Sequence, residues 1–330
     1  MDASIDLAEY TTGNAVIANS FSGTIEGQNN TVSNLSLPLF TTLSGATVKD
    51  LKIDNATVRV GAQNMGALAK NATNSNISNV IMSNSIVNSR SNQQVGGLVG
   101  YAFGSTFENV HVTASKIYGL NRVGGLIGYA TDKCIIKQSS VANTDVTTTS
   151  SASALFIGET VNNTQVLDCY AVGTLTVHNT PNDCGGFIGY ANNTVIHNNF
   201  AKVEMFAPAN AGGFVGQVVG SADIKNNISL TNCLTTAYKF DGRTGSGLYL
   251  ASGYMNNYEL SDASGTPTKN KNNSIATGKH IIEISSSAIN ADFFRTTLQW
   301  SEEIWNLSNV DAGGLPKLLN SDPNSGLTIK

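Results

Sequence analysis

Carboxylates, histidines and one lysine that could do chemistry gather between residues 111 and 197 of the 330-residue chain. Two carboxyl groups facing one glycosidic bond can cleave a polysaccharide, one as acid and the other as base or nucleophile. The set comprises His111, Asp132, Lys133, Glu159, Asp168, His178, Asp183 and His197. We expect His111 and His197 to point outward from different strands. Cleavage of a glycosidic bond requires two of these carboxylates to lie close together on one face. Whether they do depends on the secondary-structure elements that carry them.

A glycine phrase, two small residues followed by apolar ones, returns seven times along the chain. It begins at Gly66, Gly96, Gly124, Ala154, Gly185, Gly212 and, loosely, Ser246, so its steps are 30, 28, 30, 31, 27 and 34 residues. A period of this size is typical of one structural unit stacked on copies of itself. The paired glycines suit a tight inward corner, where the backbone takes a positive φ or passes too closely for a Cβ.

A second phrase, an apolar residue followed two positions later by Asn or Asp, shares this period. Its polar positions are Asp50, Asn79, Asn109, Gln138, Asp168, Asn198 and Asn226, at steps of 29, 30, 29, 30, 30 and 28 residues. Side chains that stack at every turn of a coil can hydrogen-bond one another and the turn backbone. A catalytic site is local, whereas this column runs the length of the repeats. We therefore interpret it as a structural ladder, the corner ladder.

Short alternating runs rich in β-branched residues, separated by turn residues, predict three strands in each repeat of about 29 residues. This pattern predicts an all-β chain forming one right-handed parallel β-helix, a solenoid whose turns stack about 4.8 Å apart. We assign residues 1–45 to an N-terminal cap and first strands, 46–260 to the repeats, and 261–330 to a loop and C-terminal cap. Outside the corner ladder, no pair of carboxylates recurs in one register on neighbouring turns.

Bulky side chains concentrate near the C-terminus, and a solenoid needs caps over its open core and unpaired strand edges. Residues 261–273 are polar and predict a loop that leaves the coil. Phe293, Phe294, Trp300 and Trp305 supply the apolar surface that a cap would use. Residues 290–298 could form one short helix. We interpret the tryptophans as capping residues, although tryptophans on an all-β surface can also bind sugars.

The phrase Gly-Gly-Leu/Phe-x-Gly, the segment Asp168-Cys169-Tyr170-Ala171 and the period resemble GLUG-motif repeats. Residues 21–32 are similar to the opening segment of pectate-lyase-like β-helices in proteins with such repeats, and residues 294–318 to the closing segment. The resemblance implies a bacterial secreted or cell-surface protein. It implies the fold more strongly than an activity, because the family is defined by a repeat.

Three tyrosines follow the glycine phrase at one position of the repeat. Tyr101, Tyr129 and Tyr190 share this column with Glu159 and Gln217. Exposed tyrosines on one face can stack on sugars or contact a partner protein, whereas the structural alternative is that they shield the glycine corner. Tyr101, Tyr129, Tyr190 and Glu159 are the candidate binding residues.

Composition argues against several classes of function. The chain has 19 basic and 23 acidic residues, a balance that argues against the clustered Lys and Arg of a nucleic-acid groove. No apolar run approaches the ~20 residues of a membrane-spanning helix, and the N-terminus shows no signal-peptide pattern. Cys134, Cys169, Cys184 and Cys233 lack zinc-ligand spacing, so we expect buried free thiols and no metal or other cofactor.

The sequence favours a non-enzymatic adhesin or binding module, secreted or at the bacterial cell surface, that presents its wall to glycans or host surface proteins. Two alternatives stay open. A groove lined by acids would favour a polysaccharide lyase or glycoside hydrolase, for which the fold is an analogy alone. A smooth wall of Asn, Ser and Thr would favour a structural stalk or spacer, and an exposed aromatic strip would favour binding.

Overall fold

The backbone winds as a parallel β-solenoid in the computed structural model, which describes residues 3–13, 15–59, 61, 63–179, 183–207, 211–235, 237–244, 254–266 and 281–320. About eight turns of about 29 residues each stack along the axis. Neighbouring turns pair in parallel register, as Tyr101 does with Tyr129 and Val110 with Val80. The predicted all-β parallel solenoid is confirmed.

One side of the solenoid is a sheet that we call the glycine-side sheet, because most of its strands begin within the glycine phrase. Within the described residues it has nine strands: Ala18–Phe21, Phe40–Ser44, Ala69–Thr73, Val99–Phe103, Ile127–Thr131, Ile157–Val161, Ile188–Asn192, Val215–Val219 and Asp241–Thr244.

The remaining sides form a larger sheet that bends around the corners of each turn. Its 21 strands in the described ranges are Ile5–Asp6, Thr24–Glu26, Thr31–Ser33, Thr47–Asp54, Thr57–Val58, Asn76–Ser83, Ile86–Gly96, Thr106–Thr113, Lys116–Gly124, Ile135–Lys137, Ser140–Thr148, Gln165–Leu167, Tyr170–Val177, Val195–His197, Phe200–Phe206, Asp223–Lys225, Ile228–Ser229, Asn232–Cys233, Tyr254–Met255, Asn257–Leu260 and Ile281–Ile284.

Four short strands and two short helical segments complete the described structure. Ser153–Ala154 pairs in parallel with Cys184–Gly185, and Trp305–Asn306 pairs antiparallel with Lys317–Leu318. Ser286–Ala288 is a 3-10 turn and Phe293–Thr297 is a π-helical turn. The short helix predicted for residues 290–298 is therefore present.

Residues in the left-handed backbone region bend the chain at the corners. All seven corner-ladder residues have φ between 49 and 60°. Asn and Asp adopt this region more readily than other residues with a Cβ, because their short polar side chains can hydrogen-bond locally. The bend recurs once in every turn, which explains why Asn and Asp recur with so regular a step.

The paired glycines serve close backbone approach and not a positive φ. Gly97 and Gly186 have no positive φ. A Cβ on Gly97 would lie 2.2 Å from the carbonyl oxygen of Gly125, and one on Gly186 would lie 2.0 Å from that of Gly213. Side-chain atoms cannot approach backbone oxygen so closely. The sequence suggested either a positive φ or close backbone approach for these glycines, and close backbone approach is the correct role.

The glycine-side sheet extends beyond the turns that the glycine phrase marks. The Phe40 amide donates to the Leu68 carbonyl at 2.9 Å, so a turn without paired glycines precedes Gly66. After Gly212 the stack continues at Tyr238, which forms a parallel bridge with it. Tyr238 therefore occupies the position of the phrase in the turn after Gly212, and Ser246, where the sequence predicted the seventh phrase, lies outside the described residues.

A column of large apolar side chains fills the centre of the solenoid. The rings of Phe156, Phe187, Phe214 and Phe240 stack in succession, with centroids 4.7, 4.9 and 4.7 Å apart. This spacing equals that of paired strands, so each turn contributes one ring to the stack.

All four cysteines are buried and free, as expected. Ser153 pairs with Cys184, and Cys169 occupies the column of Val80 and Val110. Burial raises the pKa of Cys134 to about 11 and that of Cys184 to about 12. The thiols therefore stay protonated at neutral pH and act as small core side chains.

The C-terminal part of the chain lies along one flank of the solenoid. In this flank segment (residues 286–320), Trp300 and Trp305 stack with their centroids 4.5 Å apart. Both belong to an apolar cluster with Tyr170 and Phe200 from two neighbouring turns. We expected this segment to cover an open end, but the described residues cover a lateral face where outward aromatic side chains need shielding from water. Of the predicted loop, residues 267–273 lie outside the described residues.

Candidate functional site: a polar groove on the glycine-side sheet

The candidate tyrosines lie in one column on the outer face of the glycine-side sheet. Tyr101 pairs with Tyr129, Tyr129 with Glu159, and Glu159 with Tyr190 in parallel register. The Tyr101 and Tyr129 rings are tilted, with centroids 5.5 Å apart. All three tyrosines are partly buried. The four candidate residues thus occupy four successive turns.

Glu159 interrupts this column with an acidic residue that is only 8% exposed. Its Oε2 atom lies 2.5 Å from the Nε atom of Arg122. The guanidinium carbon of Arg122 also lies 5.2 Å from the centroid of the Tyr129 ring. A carboxylate so far removed from water needs a matched partner, and a cation above an aromatic face gains further attraction. Arg122 therefore joins Glu159 and Tyr129 into one unit.

Arg122 was missed by the sequence reasoning. It has a φ of 51°, and Gln94, Ala152 and Asp183 have positive φ on neighbouring turns, each just before a glycine phrase. This column of left-handed residues lies beside the tyrosine column. The recurrence of positions 94, 122, 152 and 183 before the glycine phrase was the available signal.

The tyrosine column and the left-handed column enclose a groove of about 490 Å³. This volume is within the range of small-molecule sites, roughly 300–1,000 Å³. The groove brings together three of the four candidate residues and leaves out Tyr101, one turn away. Its lining is Asn121, Arg122, Tyr129, Ser151, Ala152, Glu159, Val161, Asn162, Asp183, Tyr190 and Asn192.

The phenols of Tyr101 and Tyr190 are uncharged at neutral pH. Burial raises the pKa of Tyr190, and the nearby Glu159 and Asp183 carboxylates raise it further. Burial also raises the pKa of Tyr101, with a smaller contribution from Tyr129. Each neutral phenol can donate one hydrogen bond and accept another.

The corner ladder lies on a different side and starts with a run of three hydrogen-bonded residues. Asn79 Nδ2 donates to Asp50 Oδ1 at 2.7 Å, and Asn109 Nδ2 donates to Asn79 Oδ1 at 2.8 Å. Gln138 follows in the column, and its Oε1 accepts from Asn320 Nδ2 of the flank segment at 2.9 Å.

A second run of the corner ladder begins at Asp168. Asn198 Nδ2 donates to Asp168 Oδ1 at 3.1 Å, and Asn226 Nδ2 donates to Asn198 Oδ1 at 3.3 Å. Asn256 extends the run, donating to Asn226 at 2.8 Å. Trp305 Nε1 of the flank segment also donates to Asp168 Oδ1, at 3.3 Å. Burial raises the pKa of Asp168, although the bonds from Asn198 and Trp305 oppose this.

His111 lies in the outward-facing column of Ser140 and Tyr170, as expected, but it is fully buried. Its Nε2 atom lies 2.7 Å from Asn109 Oδ1 and its Nδ1 atom 2.8 Å from Ser140 Oγ. An amide oxygen can only accept, so Nε2 carries the proton and Ser140 donates to Nδ1. The hydrogen bonds with Asn109 and Ser140 offset the cost of burying this imidazole.

The carboxylates and histidines of the candidate catalytic set are dispersed. Glu159 and Asp183 line the groove, Asp168 lies on the corner ladder, and Asp132 occupies a turn with positive φ. His197 Nε2 lies 3.1 Å from Asp223 Oδ2, and burial lowers the pKa of this histidine.

Two larger features are absent from the described residues. They contain no group of three or more His, Cys, Asp or Glu side chains arranged to hold a metal ion. No helix in the same ranges is long and apolar enough to cross a membrane.

Two protein-family models match parts of the chain. The N-terminal region of M26 IgA1-specific metallo-endopeptidases matches residues 2–83. The GLUG motif matches residues 91–118 and 119–147. Each of the two GLUG-motif matches contains one glycine phrase, and the phrase in residues 119–147 follows Arg122.

Curated relatives share short segments with this chain. Zinc metalloprotease ZmpC of Streptococcus pneumoniae is 36% identical over 124 residues, which cover 35% of this chain and 6% of ZmpC. An immunoglobulin A1 protease of Streptococcus pneumoniae is 30% identical over 167 residues, which cover 46% of this chain and 8% of that protease. The chain thus spans less than a tenth of the length of either relative.

A solved structure of an IgA1 protease aligns with 99% of this chain and 23% of that protease chain, with a TM-score of 0.44 and 17% identity. The GLUG-motif match confirms the resemblance seen in the sequence. The chain contains two GLUG-motif repeats, at residues 91–118 and 119–147, within a parallel β-solenoid.

Proposed function

We propose that this chain is a non-catalytic binding module of a secreted or surface-attached bacterial protein, and that its groove holds a host glycoprotein. The observation that carries the proposal is the groove itself, where the charged residues Arg122, Glu159 and Asp183 stand at positions that hold uncharged residues in neighbouring turns. Partly buried tyrosines beside polar groups are typical of recognition surfaces.

The relatives support a host protein as the partner. Several are named immunoglobulin A1 proteases, and the family model that matches residues 2–83 carries the same specificity in its description. Immunoglobulin A1 is therefore the first partner to test. The same relatives are the reason for placing the module outside the bacterial cell.

The two carboxylates in the groove are the observation that favours a polysaccharide-cleaving enzyme. Glycoside hydrolysis requires two carboxyl groups that both reach the scissile bond. The Glu159 carboxylate is mostly buried and is bound to Arg122 at 2.5 Å. Because that bond engages Glu159 before any substrate arrives, we favour binding over catalysis.

The substitution Arg122→Ala tests the proposal. It removes the guanidinium that holds Glu159 beside Tyr129, and Ala152 already occupies the same column with a φ of 53°, so the backbone tolerates alanine. We expect binding to immobilised immunoglobulin A1, measured by surface plasmon resonance, to weaken about tenfold, as for a central charged contact.

The matched control is Arg90→Ala. Its guanidinium carbon lies 4.5 Å from the Tyr118 ring centroid, in a similar arrangement outside the groove. This variant should bind like the unmodified protein. Equal binding by both variants would rule out the groove as the site. Degradation of a polysaccharide by the unmodified protein would favour the enzyme, and no binding to any host protein would favour the spacer.

A further inference from the structure

The groove contains one positive and two negative side chains. Arg122 and Glu159 neutralise each other at 2.5 Å, and Asp183 leaves the groove with a net negative charge. A carboxylate, sulfate or phosphate on a ligand would meet this charge in partly desolvated surroundings, where repulsion is less screened than in water. The groove therefore disfavours acidic ligands.

The rest of the lining offers uncharged hydrogen-bonding groups. The Ser151 hydroxyl and the side-chain amides of Asn162 and Asn192 line the groove together with the two phenols. Hydroxyls, amides and phenols both donate and accept hydrogen bonds. They match a ligand whose own polar groups are hydroxyls, because every sugar hydroxyl also donates and accepts.

Tyr129 and Tyr190 lie two turns apart along the groove. Glu159 separates them in the register, so their backbones are about 10 Å apart at the usual spacing of paired strands. An aromatic ring offers an apolar face to the C–H groups of a sugar. Glu159 and Arg122 occupy the column between them, so a sugar ring in the groove would lie over this ion pair with one tyrosine on each side.

We propose, as a refinement that rests on the proposed function, that the groove binds an uncharged sugar unit of a host glycan between Tyr129 and Tyr190 and excludes acidic sugars. The Glu159 and Asp183 carboxylates accept hydrogen bonds from the sugar hydroxyls. Arg122 fixes the Glu159 carboxylate before the ligand arrives, which lowers the entropy lost on binding.

A glycan array with matched uncharged and sialylated oligosaccharides tests this inference on the full chain. We expect binding to uncharged oligosaccharides and at least tenfold weaker binding to their sialylated counterparts. Tyr190→Ala should weaken binding about tenfold, whereas Tyr118→Ala, a partly buried tyrosine outside the groove, should leave it unchanged.

Asp183→Asn tests the exclusion of acidic sugars. Asparagine adopts positive φ readily, so the φ of 64° at this position is preserved while the charge is removed. The preference for uncharged over sialylated glycans should shrink several-fold. Thermal unfolding of each variant verifies its fold, and Tyr190→Phe, which removes the hydroxyl alone, replaces Tyr190→Ala if that variant does not fold.

Each outcome decides the inference. Equal or tighter binding of sialylated glycans overturns it, and so does the absence of glycan binding. If no glycan binds while immunoglobulin A1 still binds in an Arg122-dependent manner, the inference fails and the proposed function stands. If neither glycan nor immunoglobulin binds, both fail.

Discussion

Two amide ladders run along this solenoid in very different surroundings. In the corner ladder, Asn79 is exposed and donates to Asp50 at 2.7 Å. An inner ladder of Asn199, Asn227 and Asn257 is fully buried, with hydrogen bonds between neighbouring turns at 3.0 and 2.9 Å. The hydrogen bonds of the two ladders have similar lengths, so the ladders differ mainly in their access to water. Water can replace a lost hydrogen bond at the exposed corner but not in the core.

The inner ladder continues a column that is apolar in earlier turns. Val80 and Val110 occupy this column, and the Val110 amide donates to Ser139 Oγ of the next turn. At the other end, the Cys169 amide donates to Asn199 Oδ1 at 2.8 Å. One backbone position thus changes from methyl packing to amide hydrogen bonding along the solenoid.

The largest expected effect is that of Asn227→Ala in the inner ladder. Asn227 donates to the Ile196 carbonyl and to Asn257, and its Oδ1 accepts from the amide and the side chain of Asn199. Its removal leaves several buried polar groups unpaired, so the free energy of unfolding should fall by about 3–5 kcal/mol. Urea unfolding followed by circular dichroism measures this. A loss no larger than that of an exposed ladder residue would contradict the difference between the ladders.

Val110→Ala probes the apolar part of the same column. It removes two buried methyl groups and leaves no polar group unpaired, so we expect a loss of about 2 kcal/mol in the same urea experiment. If this loss matched that of Asn227→Ala, volume rather than hydrogen bonding would govern the column.

Asn79→Ala probes the corner ladder and should cost about 1 kcal/mol, because the lost bonds are replaced by water and alanine is disfavoured at a φ of 52°. Asn79→Gly separates the two causes, since glycine takes this φ without strain. A glycine variant as unstable as the alanine variant would assign the whole loss to the side-chain bonds.

Asp168→Asn should have the smallest effect, and the size of this effect depends on pH. Burial raises the pKa of Asp168 in the folded protein above its ordinary value, so the folded state binds the proton more tightly than the unfolded chain. The contribution of this group to stability is present at low pH and is lost as pH rises through the folded pKa. The variant should therefore unfold at a slightly higher temperature than the unmodified protein at pH 7, and at the same temperature near pH 3. A larger gain in unfolding temperature near pH 3 than at pH 7 would contradict the raised pKa of Asp168.

The corner ladder could be located from the sequence, whereas the inner ladder was overlooked. A left-handed bend once per turn restricts the residue type at each corner, so Asn and Asp recur at a readable step. The next residue has no such restriction and varies from Val80 to Cys169 to Asn227, which hides the column. The doublets Asn198-Asn199 and Asn226-Asn227 were the signal for a second, inward ladder.

The groove and the flank segment were less predictable for another reason. Arg122 meets Glu159 across 37 residues of sequence, and Trp305 meets Asp168 across 137. Such pairs occur once and therefore leave no period in the sequence. The tyrosine column was found because it follows the glycine phrase, and its partner Arg122 was missed because its neighbours in the column are Gln94 and Ala152.

The flank segment also imposes an order of assembly on a chain that is made from its N-terminus. Turns of a solenoid contact only their neighbours, so each can settle on the one before it as the chain emerges. The bonds from Trp305 to Asp168 and from Asn320 to Gln138 can form only after the turns between these residues have been made. The flank segment thus fastens turns that were made before it, and separation of those turns from the flank requires these bonds to break first.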